Sequence, residues 1–312
     1  MLSHLSPITK QRVRIGLAIT LVTATAIAFI FYIDHHRVLL TELRHIPLAT
    51  LGWIMLLYFS WFAALMGILI AILTICRKQL GFKENLLLNA YSILTNFFIP
   101  GQGGIAVRGM YLKRRHKLKI RHYVYVMLIY YMMYAIVSSL ILVVGNLPWW
   151  QASGIVAVVA AGSGLIVWQY QKRSKTNLND LNLSVLSLGW LGAWTLLQIG
   201  LQAAIYGIEL HQVDSRVGLH QIITYTGAAN FSLFVAITPG AIGIRESFLL
   251  FSQRLHHIGA PTIVAASVID RAVFLVFLGV LFVLILGLHT RYRSIIDQLR
   301  FKQPVKQSVD LK

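Results

Sequence analysis

Two short stretches, IPGQGGI at residues 99–105 and TPGAIGI at 238–244, carry the same Pro-Gly-x-x-Gly-Ile inside otherwise apolar sequence, 139 positions apart. Pro has no amide donor and Gly tolerates positive φ, so each stretch interrupts a helix. At membrane depth such an interruption survives only where protein or a water-filled cavity satisfies the freed backbone groups. Two copies of one interruption imply two related breaks, each facing a cavity.

The surrounding composition is that of a membrane protein. Of 312 residues, 57% are hydrophobic and only 12% charged, which excludes a water-soluble globular domain. Apolar runs long enough to cross a hydrocarbon core extend from Ile15 to Ile33, Leu48 to Ile75, Tyr123 to Val144, Trp149 to Trp168, Leu183 to Tyr206 and Ile263 to Leu288. The first follows Lys10, Arg12 and Arg14 and has no small-residue cleavage site before Asp34, so it reads as an uncleaved signal anchor. A single cysteine, Cys76, excludes an internal disulfide, a thiolate metal cage and a Cys-x-x-Cys redox motif, and is expected to pack at a helix end.

The net charge of +18 does not point to nucleic acid, because the basic residues cluster beside the spans. Segments 1–14, 76–84, 108–121, 171–183 and 289–312 hold 3, 3, 7, 3 and 6 Lys and Arg, 22 of the 28. Segments 34–47 and 207–220 hold only Arg37, Arg44 and Arg216. The first group is therefore expected inside the cell and the second outside, with both termini cytoplasmic and the chain multi-pass in the cell inner (plasma) membrane.

Charge counting then requires the two broken segments to return to the side they entered from. Asn85 to Ile99 is too short to span and is basic on both flanks, so it forms a re-entrant hairpin from inside. Gln221 to His257 must enter and leave from outside for the last span to end beside Arg291 and Arg293. The expected fold is an all-α integral membrane protein of about six transmembrane helices plus two re-entrant broken-helix hairpins. They form an inverted-topology repeat, 1–148 and 149–290, with a basic cytoplasmic tail at 291–312. In transporters of that construction the substrate site lies near the midplane, where half-helix N-termini offer unpaired amides to an anion.

Candidate substrate-binding residues follow from the breaks. Arg108 and Arg245 come just after them, and a guanidinium matches phosphate in a bidentate way. Asn96 and Asn230 precede the breaks, each followed by Phe, with amides suited to freed backbone groups or to a ligand hydroxyl. The turn residues Pro100, Gly101, Gln102 and Gly104, and Pro239, Gly240 and Gly243, complete the two loops. Glu246, Asp270 and Arg271 join Arg245 in a set of ionisable groups that either serves the substrate or forms a neutral buried network; both readings stand. Gln198 in the fifth span is a further polar candidate. Tyr123 and Tyr125 read as interfacial anchors, whereas Tyr130, Tyr131 and Tyr134 lie deeper and are candidates to line the cavity. The pairs His35-His36 and His256-His257 read as interfacial histidines, since neither has zinc-ligand spacing, and no metal or cofactor is expected.

At these residues the sequence resembles the flippase-like membrane region of the lysylphosphatidylglycerol synthases, a family that also contains stand-alone members without the aminoacyltransferase domain. The family's first motif, approximately Pro-Gly-Arg-x-Gly-acid-x-x-Arg, is matched at Pro100, Gly101, Gly104 and Arg108, with Gln102 in place of the Arg and Ile105 in place of the acid. The second, approximately Pro-Gly-x-x-Gly-hydrophobic-Arg-Glu, is matched at Pro239, Gly240, Gly243, Ile244, Arg245 and Glu246, and Arg271 matches an Arg of the last span. The resemblance implies movement of an anionic or aminoacylated phospholipid, or a lipid-linked saccharide, between leaflets. It does not imply the synthase reaction, and no enzyme activity is expected. Two other classes compete: a non-transporting partner whose basic face recruits a lipid or glycan biosynthetic enzyme, and a membrane-embedded lipid-phosphate transferase. Membrane lipids are the expected partners; the sequence leaves the lipid and the oligomeric state open.

Overall fold

A computed structural model describes residues 47–98, 103–143, 146–174, 177–234 and 244–291. The expected first span, Ile15 to Ile33, the tail beyond 291 and the turn residues Pro100, Gly101, Gln102, Pro239, Gly240 and Gly243 lie outside them. Among the described residues the chain forms helices α1 (Leu48–Ile75), α2 (Phe82–Phe98), α3 (Gly103–His116), α4 (Ile120–Val143), α5 (Trp149–Ser174), α6 (Val185–Val213), α7 (Leu219–Ser232), α8 (Ile244–Phe251), α9 (Gln253–His256) and α10 (Ala260–Arg291). A 3₁₀ turn at Leu178–Asp180 precedes α6. Five of these, α1, α4, α5, α6 and α10, are long and apolar enough to cross a membrane, and the chain is a multi-pass membrane protein.

Local chemistry sets the helix ends. Pro47 stands just before α1, where a missing amide is harmless, and Arg77 in the left-handed region (φ 53°) closes it. The Ser184 hydroxyl caps α6 by accepting from the Ser187 amide at 3.2 Å. Gln221 reaches back to accept from the Gly218 amide at the start of α7, 2.9 Å away.

The helices pack as two interlocked sets. α1 and α6 cross antiparallel at the centre, tied at one end by the Asn182 amide donating to the Ile75 carbonyl at 2.7 Å. α2 folds back on α3, and α7 folds back on α8 and α9. α4 packs on α7, and α10 packs on α2. Under the exchange of α1 with α6, α2 with α7, α3 with α8 and α4 with α10, these pairings map onto one another. Gly227 makes the α4 contact possible. A Cβ there would sit 2.7 Å from the Leu142 amide nitrogen and 2.9 Å from the Ser138 carbonyl oxygen, so only Gly lets the two backbones approach so closely. α5 packs on α4 and leaves most of its apolar surface exposed.

The two folded-back pairs open toward opposite ends of the bundle. The base of the first joins Glu84 to His116, Nε2 to Oε1 2.8 Å, beside Lys119, whose Nζ lies 2.7 Å from Asp180. The base of the second joins the Gln221 side chain to the His257 carbonyl at 3.0 Å, at the end of the bundle where α6 finishes.

Several residues sit deeper than the sequence indicates. α6 runs to Val213 rather than stopping near Tyr206, so Glu209, expected in an external loop, is 1% exposed. Tyr123 and Tyr125 are not interfacial anchors: both are buried, Tyr123 beneath Gly109 of α3. Lys119 and Arg121, just before them, are exposed. His256 is also buried rather than interfacial. Its Nε2 meets the Leu249 carbonyl at 2.9 Å, and its Nδ1 accepts from the Ile258 amide at 3.2 Å. Cys76 is buried directly after α1, at a helix end as expected.

Candidate functional site

Between the two folded-back pairs lies a cavity of about 290 Å³, walled by α1, α2, α3, α4, α6, α8 and α10. Arg108 of α3 and Arg245 of α8 both line it, as do Asn96, Asp270 and Arg271. Tyr130, Tyr131, Tyr134 and Gln198 also belong to the wall.

One face of α2 builds the first half of the site. Asn85, Asn89, Ser92 and Asn96 recur at helical spacing, so all four project on one side. Asn96 Oδ1 accepts from the Gly104 amide at 2.7 Å, which occupies one of the amides left unpaired at the start of α3. A Cβ on Gly104 would collide with the Ser92 carbonyl and hydroxyl, and would lie 2.7 Å from Asn96 Oδ1. Gly104 therefore acts here through close approach. Lower down, Arg108 Nη1 donates to Asn89 Oδ1 at 3.3 Å. Asn89 Nδ2 donates to Asn85 Oδ1 at 2.6 Å, and Asn85 Nδ2 to the Met66 carbonyl of α1 at 3.1 Å. Arg108 has no carboxylate partner among the described residues, and its Nε is buried without a hydrogen bond.

The second half is ionic. Arg245 Nη1 donates to Asp270 Oδ2 at 2.5 Å, and the Asp270 Oδ1 accepts from the Tyr58 hydroxyl at 2.7 Å. Arg245 also stacks on Tyr206, with its Cζ 4.9 Å from the ring centre. Arg271 holds Glu246 through Nη2 at 2.9 Å and Nε at 3.3 Å. The four ionisable residues thus pair in order, Arg245 of α8 with Asp270 of α10 and its neighbour Glu246 with Arg271. Unpaired charge in this interior is heavily penalised, and the pairing removes it for all four. Nε and Nη2 of Arg245 are still unbonded.

Asn230 does not copy Asn96. It is fully buried in α7, but neither its Oδ1 nor its Nδ2 has a partner among the described residues. Sequence reasoning missed Tyr58, Asn89, Ser92 and Gln202, which also line the cavity. The α2 stripe was detectable as an Asn and Ser series at helical intervals, and Gln198 with Gln202 as an i, i+4 pair; Tyr58 carries no local signal. Tyr130 donates to Gln198 at 2.9 Å and Tyr134 to Gln202 at 3.1 Å, which joins α4 to α6 along the wall. No group of three or more His, Cys, Asp or Glu suited to a metal occurs among the described residues.

The geometry brings Arg108 and Arg245, one from beside each break, to a single cavity. The family model for the lysylphosphatidylglycerol synthase TM region matches residues 13–281. The chain belongs to that family. No curated protein and no solved structure matches it. Membership in the lysylphosphatidylglycerol synthase TM region family accounts for a membrane domain with a lipid-related role.

Proposed function

We propose that this chain moves an anionic or aminoacylated phospholipid, or a lipid-linked saccharide, from one leaflet to the other, with the headgroup in the cavity and the acyl tails in the bilayer. The single observation that carries the reading is that Arg108, from one folded-back pair, and Arg245, from the other, line the same cavity while both keep unbonded guanidinium donors. Guanidinium groups match phosphate oxygens in pairs, and buried donors without partners favour an acceptor-rich occupant. The mirrored helix pairings and the hairpins opening to opposite ends support the inverted repeat, with each hairpin re-entrant from its own side. The basic segments at 76–84, 108–121 and 171–183 gather at one end, which in this reading is the cytoplasmic end in the inner membrane. The chain then makes and breaks no covalent bonds; it binds and releases.

In proteoliposomes carrying a trace of tail-labelled phosphatidylglycerol, Arg108→Gln is expected to slow leaflet exchange to near the protein-free rate without lowering thermal stability, since Arg108 holds no ion pair among the described residues. Exchange at the wild-type rate in that variant would remove the reading. A docking role also has support, because Lys113, Arg115, Lys117, Lys119 and Arg121 are all exposed where α3 gives way to α4. Replacing those five with Gln discriminates: docking requires loss of function with leaflet exchange unchanged.

A further inference from the structure

We propose that the cavity selects a lipid whose headgroup carries phosphate and neutral hydroxyls and rejects one that carries an ammonium group; this rests on the lipid-moving reading above. The argument is an inventory of acceptors and donors. The chain has ten carboxylates, six of them in described residues. Glu84 is held by Tyr111 and His116 at the hairpin base, Asp180 by Lys119, and Asp214 accepts from the Arg216 amide beyond α6. Glu246 is bound to Arg271. Glu209 keeps a buried Oε1 without a hydrogen bond, but it is not part of the cavity wall and does not face an occupant. That leaves Asp270, whose two oxygens are both occupied, by Tyr58 and by Arg245. Among the described residues no carboxylate oxygen on the cavity wall is left for a cationic headgroup.

Donors, by contrast, are in excess. Arg108 and Arg245 have unbonded guanidinium nitrogens. Gln198 and Gln202 commit their oxygens to tyrosine hydroxyls, so what they still offer is N–H. The Ser92 hydroxyl is buried without a partner. The aromatic faces of Tyr130, Tyr131, Tyr134 and Phe234 suit the apolar faces of a sugar or glycerol backbone. They also suit a cation, but Arg108 supplies an uncompensated positive charge in the same enclosure, and like charges in a desolvated site repel strongly. Phosphate with hydroxyls has two sources, the headgroup of phosphatidylglycerol and a polyprenyl-phosphate-linked hexose, and the shared chemistry is what the wall reads.

The test uses the full-length protein in proteoliposomes, each preparation with a trace of one tail-labelled lipid: phosphatidylglycerol, polyprenyl-phosphate hexose, lysyl-phosphatidylglycerol or phosphatidylethanolamine. Exchange of at least one of the first two is expected about tenfold faster than of either ammonium lipid. The faster of the first two identifies the source, and equal rates mean that phosphate and hydroxyls suffice. Lysyl-phosphatidylglycerol moving as fast as phosphatidylglycerol and the hexose lipid, or faster, would overturn the selection while leaving lipid movement standing. No exchange of any of the four above protein-free vesicles overturns both. Gln198→Glu, which adds one carboxylate to the wall with little change of shape, is expected to narrow the gap by accelerating lysyl-phosphatidylglycerol. An unchanged ranking in a folded Gln198→Glu protein would sink the charge basis of the inference.

Discussion

Arg245 and Asp270 form a close pair buried on both sides, so each is costly to leave alone. Removal of one partner strands a charge, at about 3–5 kcal/mol. Arg245→Leu is therefore expected to lower the melting temperature strongly in detergent, whereas Arg245→Leu with Asp270→Leu recovers most of the loss. If both proteins then fail to move lipid, the pair serves binding as well as packing; if the double variant moves lipid normally, the pair is structural only. Arg108 offers the contrast, because its guanidinium leans on a neutral amide.

The folded-back pairs depend on short-range chemistry that differs between them. The first is stitched along its length by α2 side chains, the second by aromatic contacts and by His256. The Phe231 and Phe248 rings stack 6.1 Å apart, and Tyr225 meets the His256 ring edge-on at 5.6 Å. Burial holds the His256 imidazole below its ordinary pKa, opposed in part by the Leu249 carbonyl. The folded state then binds fewer protons than the unfolded state below about pH 6.5, so stability is intact above that pH and falls as the solution is acidified through it. Melting curves from pH 8 to 5 should show the decline, and His256→Gln should flatten it. Much of this level was legible in the sequence: the spans, the short segment at 85–99 and the pairing of Asn96 with freed backbone all follow from apolar length and residue type. The end of α6 was not. Glu209 reads as a loop acid, and only the helices packed around it reveal that α6 continues.

At the scale of the whole molecule, the mirrored pairings predict that Lys117 and Gln212 face opposite sides of the membrane. In a Cys76→Ala background, an impermeant maleimide should label Lys117→Cys only after cells are permeabilised, and Gln212→Cys in intact cells. Labelling of both from one side would dismantle the inverted arrangement. The meeting of Arg108 and Arg245 across one cavity could be anticipated because the two Pro-Gly motifs mark the breaks. The committed state of Asp270 could not, since it depends on a tyrosine more than two hundred positions away in α1.

The two ion pairs also act mechanically. Consecutive residues on a helix point roughly 100° apart, so two bonds, from 245 to 270 and from 246 to 271, fix α8 against α10 both in height and in rotation. A slip of one position would set Arg beside Arg in one direction, or Glu beside Asp in the other. α8 is thereby keyed to α10 like a splined shaft. The bonds around Arg108 run through the amides of Asn89 and Asn85, which carry no charge sign to select a register.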